Sequence, residues 1–134
     1  MLSIVDVVAA DKNLVTLAIG MKAAGLNEQL SKMGPFTVFA PTEHAFGKLQ
    51  RGEWPDLLRP QNRVKLADIM NHHVINGTIH FKDLTDGQEL TTLNGKKLAV
   101  HVRNGETDID GAKIQGRDMD ASNGVVHSLD NLVQ

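Results

Sequence analysis

Five Asn-Gly or Asp-Gly steps crowd one stretch of this chain: Asn76-Gly77, Asp86-Gly87, Asn94-Gly95, Asn104-Gly105 and Asp110-Gly111. These pairs tolerate the positive φ that tight hairpin turns demand, so a segment punctuated in this way must fold back on itself repeatedly. Short runs of alternating apolar residues separate them, the period of a half-buried strand. Leu90-Thr91-Thr92-Leu93, the Asn94-Gly95 turn and residues 97–102 fit a hairpin closed by a type I′ turn. Leu98, Val100 and Val102 then share one face, leaving Ala99, His101 and Arg103 on the other. A last strand is expected at Gly124-Val125-Val126-His127-Ser128-Leu129.

The first half of the chain has helical spacing instead. Ser3 stands as an N-cap with Asp6 three residues on, opening a short helix. Asn13 is placed to cap a second helix, with Leu14, Leu17, Ala18 and Met21 on one face and Gly25 just past its end. A third short helix is expected over residues 27–33, stopped by Gly34-Pro35. Phe36-Thr37-Val38-Phe39-Ala40 is short, β-branched and aromatic, the pattern of a buried strand, and Thr42 can cap a helix carrying Ala45, Phe46 and Leu49. Residues 52–60 form a connection in which Trp54, Leu57 and Leu58 cover the core. Pro60 then suits the first turn of a helix whose apolar face is Val64, Leu66, Ala67, Ile69 and Met70. Helices first and strands last make an α+β class.

With 134 residues the chain is long enough for one domain, residues 1–134, with a core of its own. Its net charge is -2 and aromatic residues make up 4%, so it offers neither a basic footprint nor stacking platforms for nucleic acid. Cysteine is absent, which removes disulfides and thiolate chemistry without settling the compartment. No apolar run approaches the ~20 residues needed to cross a bilayer, so membrane insertion is not expected. The first residues lack the basic region of a secretory leader, and Asp6 sits where its apolar segment would be. Met1 therefore fits a cytosolic start or a chain trimmed of its leader.

Two segments carry a more specific signal. Gly34-Pro35-Phe36-Thr37-Val38-Phe39-Ala40-Pro41-Thr42-Glu43-His44-Ala45-Phe46 resembles the first signature motif of fasciclin-like domains. Asn123-Gly124-Val125-Val126-His127-Ser128-Leu129-Asp130-Asn131-Leu132 resembles the second. Between them, Ile69-Met70-Asn71-His72-His73-Val74-Ile75 is similar to the family's central segment, which normally carries Tyr-His. The resemblance implies a compact wedge of two β-sheets flanked by several N-terminal and central helices. Within it Thr37, Val38 and Phe39 supply a central strand, Pro41 stops its ladder, Thr42 starts the next helix, and Asn123-Gly124 launches the final strand. It also implies a non-enzymatic, extracellular or cell-surface adhesion module whose partner is a surface or matrix protein or a polysaccharide, with no cofactor. By position, His73 is the family's motif histidine, and His72 stands where Tyr is usual, a position linked to integrin binding in animal members. That departure argues against an integrin-like role and leaves His72 and His73 as the candidate partner-binding residues. The short single domain without cysteine looks bacterial or archaeal, and weak self-association is compatible with an adhesive role.

Candidate chemistry elsewhere is thin. Adjacent imidazoles at His72-His73 suggest a metal, but neighbours on a strand point apart and on a helix lie about 100° apart. One histidine buried with a hydrogen bond and one partly exposed is the favoured reading, and no metal site is expected. His44, His80, His101 and His127 have no ligand spacing among them. Residues 118–129 begin like a calcium loop, yet the sixth place is Asn123 and the twelfth Leu129, where that loop needs Gly and Glu. Asp108 and Asp110 fit a solvated hairpin edge better than a catalytic acid pair. Arg51-Gly52-Glu53 narrowly misses the Arg-Gly-Asp adhesion tripeptide, and Asn76-Gly77-Thr78 is a formal glycosylation acceptor better explained as a turn. No G-x-S-x-G, P-loop or G-x-G-x-x-G occurs. The competing function is a small-ligand or metal carrier using the histidines.

Overall fold

The computed structural model describes residues 3–30, 34–49, 52–116 and 119–133. Local chemistry sets the first helices. The Ser3 hydroxyl accepts a hydrogen bond from the Asp6 amide and starts α1 (Ile4–Ala10). Asp11, not Asn13, makes the next cap: its carboxylate accepts the Asn13 amide at 2.8 Å, holding a 3-10 turn (Lys12–Leu14) that leads into α2 (Val15–Ala23). The Asp11 carboxylate, two residues back, reaches a free amide of the first turn that Asn13 itself is too far along to satisfy. α3 spans Leu26–Leu30, and the remainder of the helix expected over 27–33 lies outside the described residues.

Strand β1 (Phe36–Pro41) is buried along its whole length. After it come α4 (Glu43–Phe46), capped by Thr42 accepting from the Ala45 amide, then α5 (Glu53–Leu57) and α6 (Arg63–Asn71). Residues 52–60 therefore contain a helix that the connection reading did not foresee. On α6 the buried residues are Leu66 and Met70, whereas Val64 is 84% exposed and does not belong to the apolar face. Two positions before Leu66 means about 200° around the axis, which turns Val64 to solvent.

The strands form two sheets. One has the order β2-β1-β8-β7, using β2 (Val74–Asn76), β8 (Gly124–Leu129) and β7 (Met119–Ala121). The other is an antiparallel meander of β3 (Glu89–Thr91), β4 (Lys97–Arg103), β5 (Glu106–Ile109) and β6 (Ala112–Lys113). The class is α+β, as expected. Type I′ geometry appears at Asn104-Gly105 and Asp110-Gly111, where the non-glycine residues hold φ of 52° and 50°. The β3–β4 connection differs from expectation. Its last paired residues are Thr91 and Lys97, Thr92 and Lys96 close the loop by a backbone bond, and Asn94 does not take positive φ. Asn94 is drawn instead toward α6, where its amide group donates to Asp68.

Strands β1 and β8 run parallel at the centre of the first sheet, with Phe36 opposite Gly124 and Pro41 opposite Leu129. Alternate residues of β1 feed two cores. Phe36, Val38 and Ala40 join Ile4, Leu17, Leu66, Met70 and Val126 under the helices. Phe39 joins Leu90, Leu98, Val100, Ile109 and Leu129 between the sheets. Double burial explains why both central strands are apolar almost without interruption. The sheets are tied at two corners, by the Ile75–Thr92 bridge and the Ile114–Leu129 bridge.

Asn123 locks the junction. Its backbone carbonyl accepts the Phe36 amide at 2.9 Å, its side-chain oxygen accepts the Ile4 amide at 2.9 Å, and its amide group donates to the Leu30 carbonyl. Gly124 follows at φ 152°, and a Cβ there would stand 1.8 Å from the Phe36 carbonyl oxygen. Only glycine lets the two central strands meet at this point.

Phe39→Ala empties the inter-sheet core and should lower the unfolding free energy by roughly 3–5 kcal/mol in urea titrations; an unchanged midpoint would contradict the central placement of β1. Gly124→Ala should cost at least about 2 kcal/mol, because it adds both strain and a backbone clash. The same titration checks it, and a stability within error of wild type would exclude this packing.

Candidate functional site

The residues singled out in the two motifs are mostly architectural. Thr37 is buried, its hydroxyl donating to the Gly77 carbonyl at 2.6 Å and accepting the Ile79 amide at 2.8 Å. His127 is buried against Phe39, ring centroids 5.7 Å apart, and its Nε2 donates to the Ile79 carbonyl at 2.8 Å. Together they pin residues 77–79 across the sheet, so Asn76 ends β2 and Gly77, at φ 98°, turns the chain directly after it. Pro41 ends the ladder, and the next amide, from Thr42, bonds the Leu129 carbonyl. Phe46 is buried and meets the Trp54 ring at 4.8 Å.

His72 and His73 follow α6 as its C-cap and the first residue of the turn into β2. Their rings are perpendicular, 6.2 Å between centroids, and both ring nitrogens of His73 are engaged by the backbone. His73 is 1% exposed. Its Nδ1 donates to the Ile69 carbonyl at 2.8 Å, while Nε2 accepts the Val133 amide at 3.0 Å. A carbonyl only accepts and an amide only donates, so these partners select the neutral tautomer. Burial, partly opposed by the Ile69 bond and reinforced by the neighbouring His72, brings the imidazole down from 6.5 to about 4. His73 thus welds α6 to the chain's last residues from inside, and its ring reaches no partner surface.

His72 is half-buried and faces a different setting. It borders a cavity of about 260 Å³ walled by Leu49, Trp54, Leu57, Ile69, Leu132 and Val133. Exposed Glu53, Asp68 and Lys96 stand at its rim. Trp54 reaches this position because Gly20 of α2 leaves room: a Cβ on Gly20 would lie 2.7 Å from the indole Cη2. On the other side, Asn94 bridges the β3–β4 loop to α6 through Asp68, and its side-chain oxygen lies 3.5 Å from His72 Nδ1. In the sequence Asn94 stood out only as a turn residue and Asp68 did not stand out; their meeting depends on a hairpin loop touching a helix far from it in the chain.

The other candidates separate. His80 pairs with Asp120 at 3.2 Å and His101 with Asp108 at 3.0 Å. Asp108 also accepts the Gly111 amide and Asp110 the Ala99 amide, so both carboxylates hold hairpin backbone in place rather than merely lining a solvated edge. Asp118 of the calcium-like loop and Arg51 of the Arg-Gly-Glu tripeptide lie outside the described residues. Among the described residues, no group of three or more His, Asp or Glu is arranged to hold a metal ion. No helix among them is long and apolar enough to cross a membrane.

The two strands that carry the motif-like segments are thus neighbours, and the Fasciclin domain family model matches residues 12–134. The chain belongs to the Fasciclin domain family. Protein sll1483 from Synechocystis sp. is 41% identical over 98% of this chain and 73% of its own length. Transforming growth factor-beta-induced protein ig-h3 from Sus scrofa is 33% identical over 98% of this chain, which spans only 19% of that larger protein. Among solved structures, the FAS1 domain pair of the insect cell adhesion molecule Fasciclin I superposes with a TM-score of 0.88 at 17% identity. That match covers 99% of this chain and 51% of the pair, so the fasciclin domain described here spans about half of that structure.

The folded state accommodates only neutral His73, while the unfolded chain takes up a proton there near pH 6.5. Its contribution is therefore complete above about pH 6.5 and lost as pH falls toward about 4, on the order of 3 kcal/mol over that window. His73→Gln should be less stable at pH 7 by roughly 1–3 kcal/mol and should flatten this part of the stability–pH curve. Parallel curves for the two proteins would rule the role out.

Proposed function

We propose that this fasciclin domain is a non-enzymatic adhesion module, working outside the cell or at its surface and binding a protein or polysaccharide partner. The observation that carries this reading is the whole-chain match to a FAS1 domain of a cell adhesion molecule.

The proposed contact surface is the mouth of the His72 cavity. There a half-buried imidazole and the edge of Trp54 are ringed by Glu53, Asp68 and Lys96. An apolar centre with a charged rim is the layout of a binding hot spot. His73 takes no direct part, since its ring is enclosed; its role is to hold His72 and the end of α6 in place.

Surface-immobilised wild-type protein should retain cells or matrix above the level of an unfolded control. His72→Ala, with its fold verified by circular dichroism, should reduce retention about tenfold, as truncation of a central interface residue does. Retention no better than the unfolded control would overturn the adhesive reading. Undiminished retention by folded His72→Ala would move the contact to another face.

A further inference from the structure

The glycine steps that turn the second half of the chain also carry a reactivity that adhesion does not use. In an Asn-Gly step the glycine nitrogen can attack the asparagine side-chain carbonyl carbon, and glycine has no side chain to block the approach. The attack needs an uncommitted N–H, because a bonded one must first give up its acceptor. It also needs an asparagine side chain free to swing toward the backbone.

The five Asn-Gly and Asp-Gly steps differ in the first respect. The Gly77 amide donates to the Pro35 carbonyl at 2.9 Å, Gly87 to the Val100 carbonyl at 2.8 Å, and Gly95 to the Thr92 carbonyl at 3.0 Å. The Gly111 amide donates to the Asp108 carboxylate at 3.0 Å. The Gly105 amide has no acceptor among the described residues. The asparagines differ in the second respect. Asn94 is held by Asp68 and Thr92, and Asn123, also followed by glycine, is held by Ile4 and Leu30. Asn76 is exposed, but it is paired in β2 opposite Phe36. The Asn104 side chain is exposed and makes no hydrogen bond among the described residues. It stands at the tip of the β4–β5 hairpin, between the paired residues Arg103 and Glu106, and all four residues of this turn are exposed. Rotation of the Asn104–Gly105 peptide therefore disturbs no buried contact.

We propose that Asn104 is a modification site, deamidating spontaneously through a cyclic imide to aspartate and isoaspartate, well ahead of the other Asn-Gly steps in the folded protein. The Gly105 nitrogen bonds to Asn104 Cγ, the Cγ–Nδ2 bond breaks, and Nδ2 leaves as ammonia with the proton from the Gly105 nitrogen. Water then adds across one of the two imide C–N bonds. Opening at Cγ gives aspartate on an unaltered main chain, and opening at the main-chain carbonyl carbon gives isoaspartate. Either product exchanges a neutral amide for a carboxylate, taking the formal net charge from -2 to -3. Isoaspartate also adds a methylene to a two-residue turn, which loosens the Arg103–Glu106 closure. The inference stands apart from adhesion, since it needs no partner other than water.

The test follows all four asparagines in one sample. Cleavage after lysine places Asn76 in residues 66–82, Asn94 in 83–96, Asn104 in 98–113 and Asn123 in 114–134. Native protein is aged at mildly alkaline pH in water enriched in heavy oxygen, then digested in ordinary water and read by mass spectrometry. Only conversions during ageing then carry the label. The expected result is labelled acid in 98–113 appearing roughly tenfold faster than in the other three peptides, the factor set by one backbone hydrogen bond to be broken elsewhere. In urea, where every step is unfolded, the four rates should converge. A rate in 98–113 no higher than in 66–82 or 83–96 would overturn the inference, and so would an undiminished lead of 98–113 in urea. Asn104→Gln should abolish the labelled acid in 98–113, and its persistence would place the reaction elsewhere. The wild-type comparison decides the matter without any variant. Loss of cell retention leaves these rates untouched, and equal rates leave the retention assay untouched.

Discussion

The parallel pairing of β1 with β8 is the interaction on which the rest of the molecule depends. It joins segments from opposite halves of the chain, and its two faces are the floors of two cores, one under the helices and one against the second sheet. Closing so long a loop costs entropy that no local contact repays. The junction therefore gathers several compensating bonds at one point. Asn123 holds α1, α3 and β1 at once, and Gly124 allows its carbonyl neighbour on β1 to approach where any side chain would collide. These two residues make the central pairing possible, and the burial of both faces of β1 and β8 accompanies it.

The histidine pair shows how one local sequence yields two unlike roles. The turn after α6 leaves consecutive side chains in different settings, their ring planes perpendicular. One ring is driven inward, where a carbonyl and an amide from distant parts of the chain fix its neutral form and the dry surroundings keep it so. The other stays at the wall of a cavity. The inner ring serves stability, and the proposed contact rests on the outer one beside it.

Much of the architecture was legible. Ser3 and Thr42 as caps, the strand over 36–40 (one residue longer in the structure), the final strand from Gly124 and the motif-like segments all follow from short-range chemistry. The errors have a common cause. Asn94-Gly95 has the composition of a type I′ turn, but Asn94 is engaged by Asp68 and His72, and the loop opens to five residues to let it reach them. Val64 looked apolar enough for a core face, and only the helix phase turned it outward. Asp11 outcompeted Asn13 as a cap through a geometry two residues wide.

By itself the sequence determined most of the elements and their order, because turns and caps are largely decided by φ preferences and by side chains reaching backbone a few residues away. It also determined kinship, through two motif-like segments that read as strings. Tertiary structure alone decided that these segments lie side by side, that His73 is sealed while His72 borders a cavity, and that Trp54, Asp68 and Asn94 share that cavity's walls. Those outcomes depend on which distant surfaces exclude water together. Side-chain burial and partner choice are properties of the packed whole, and no window along the chain contains them.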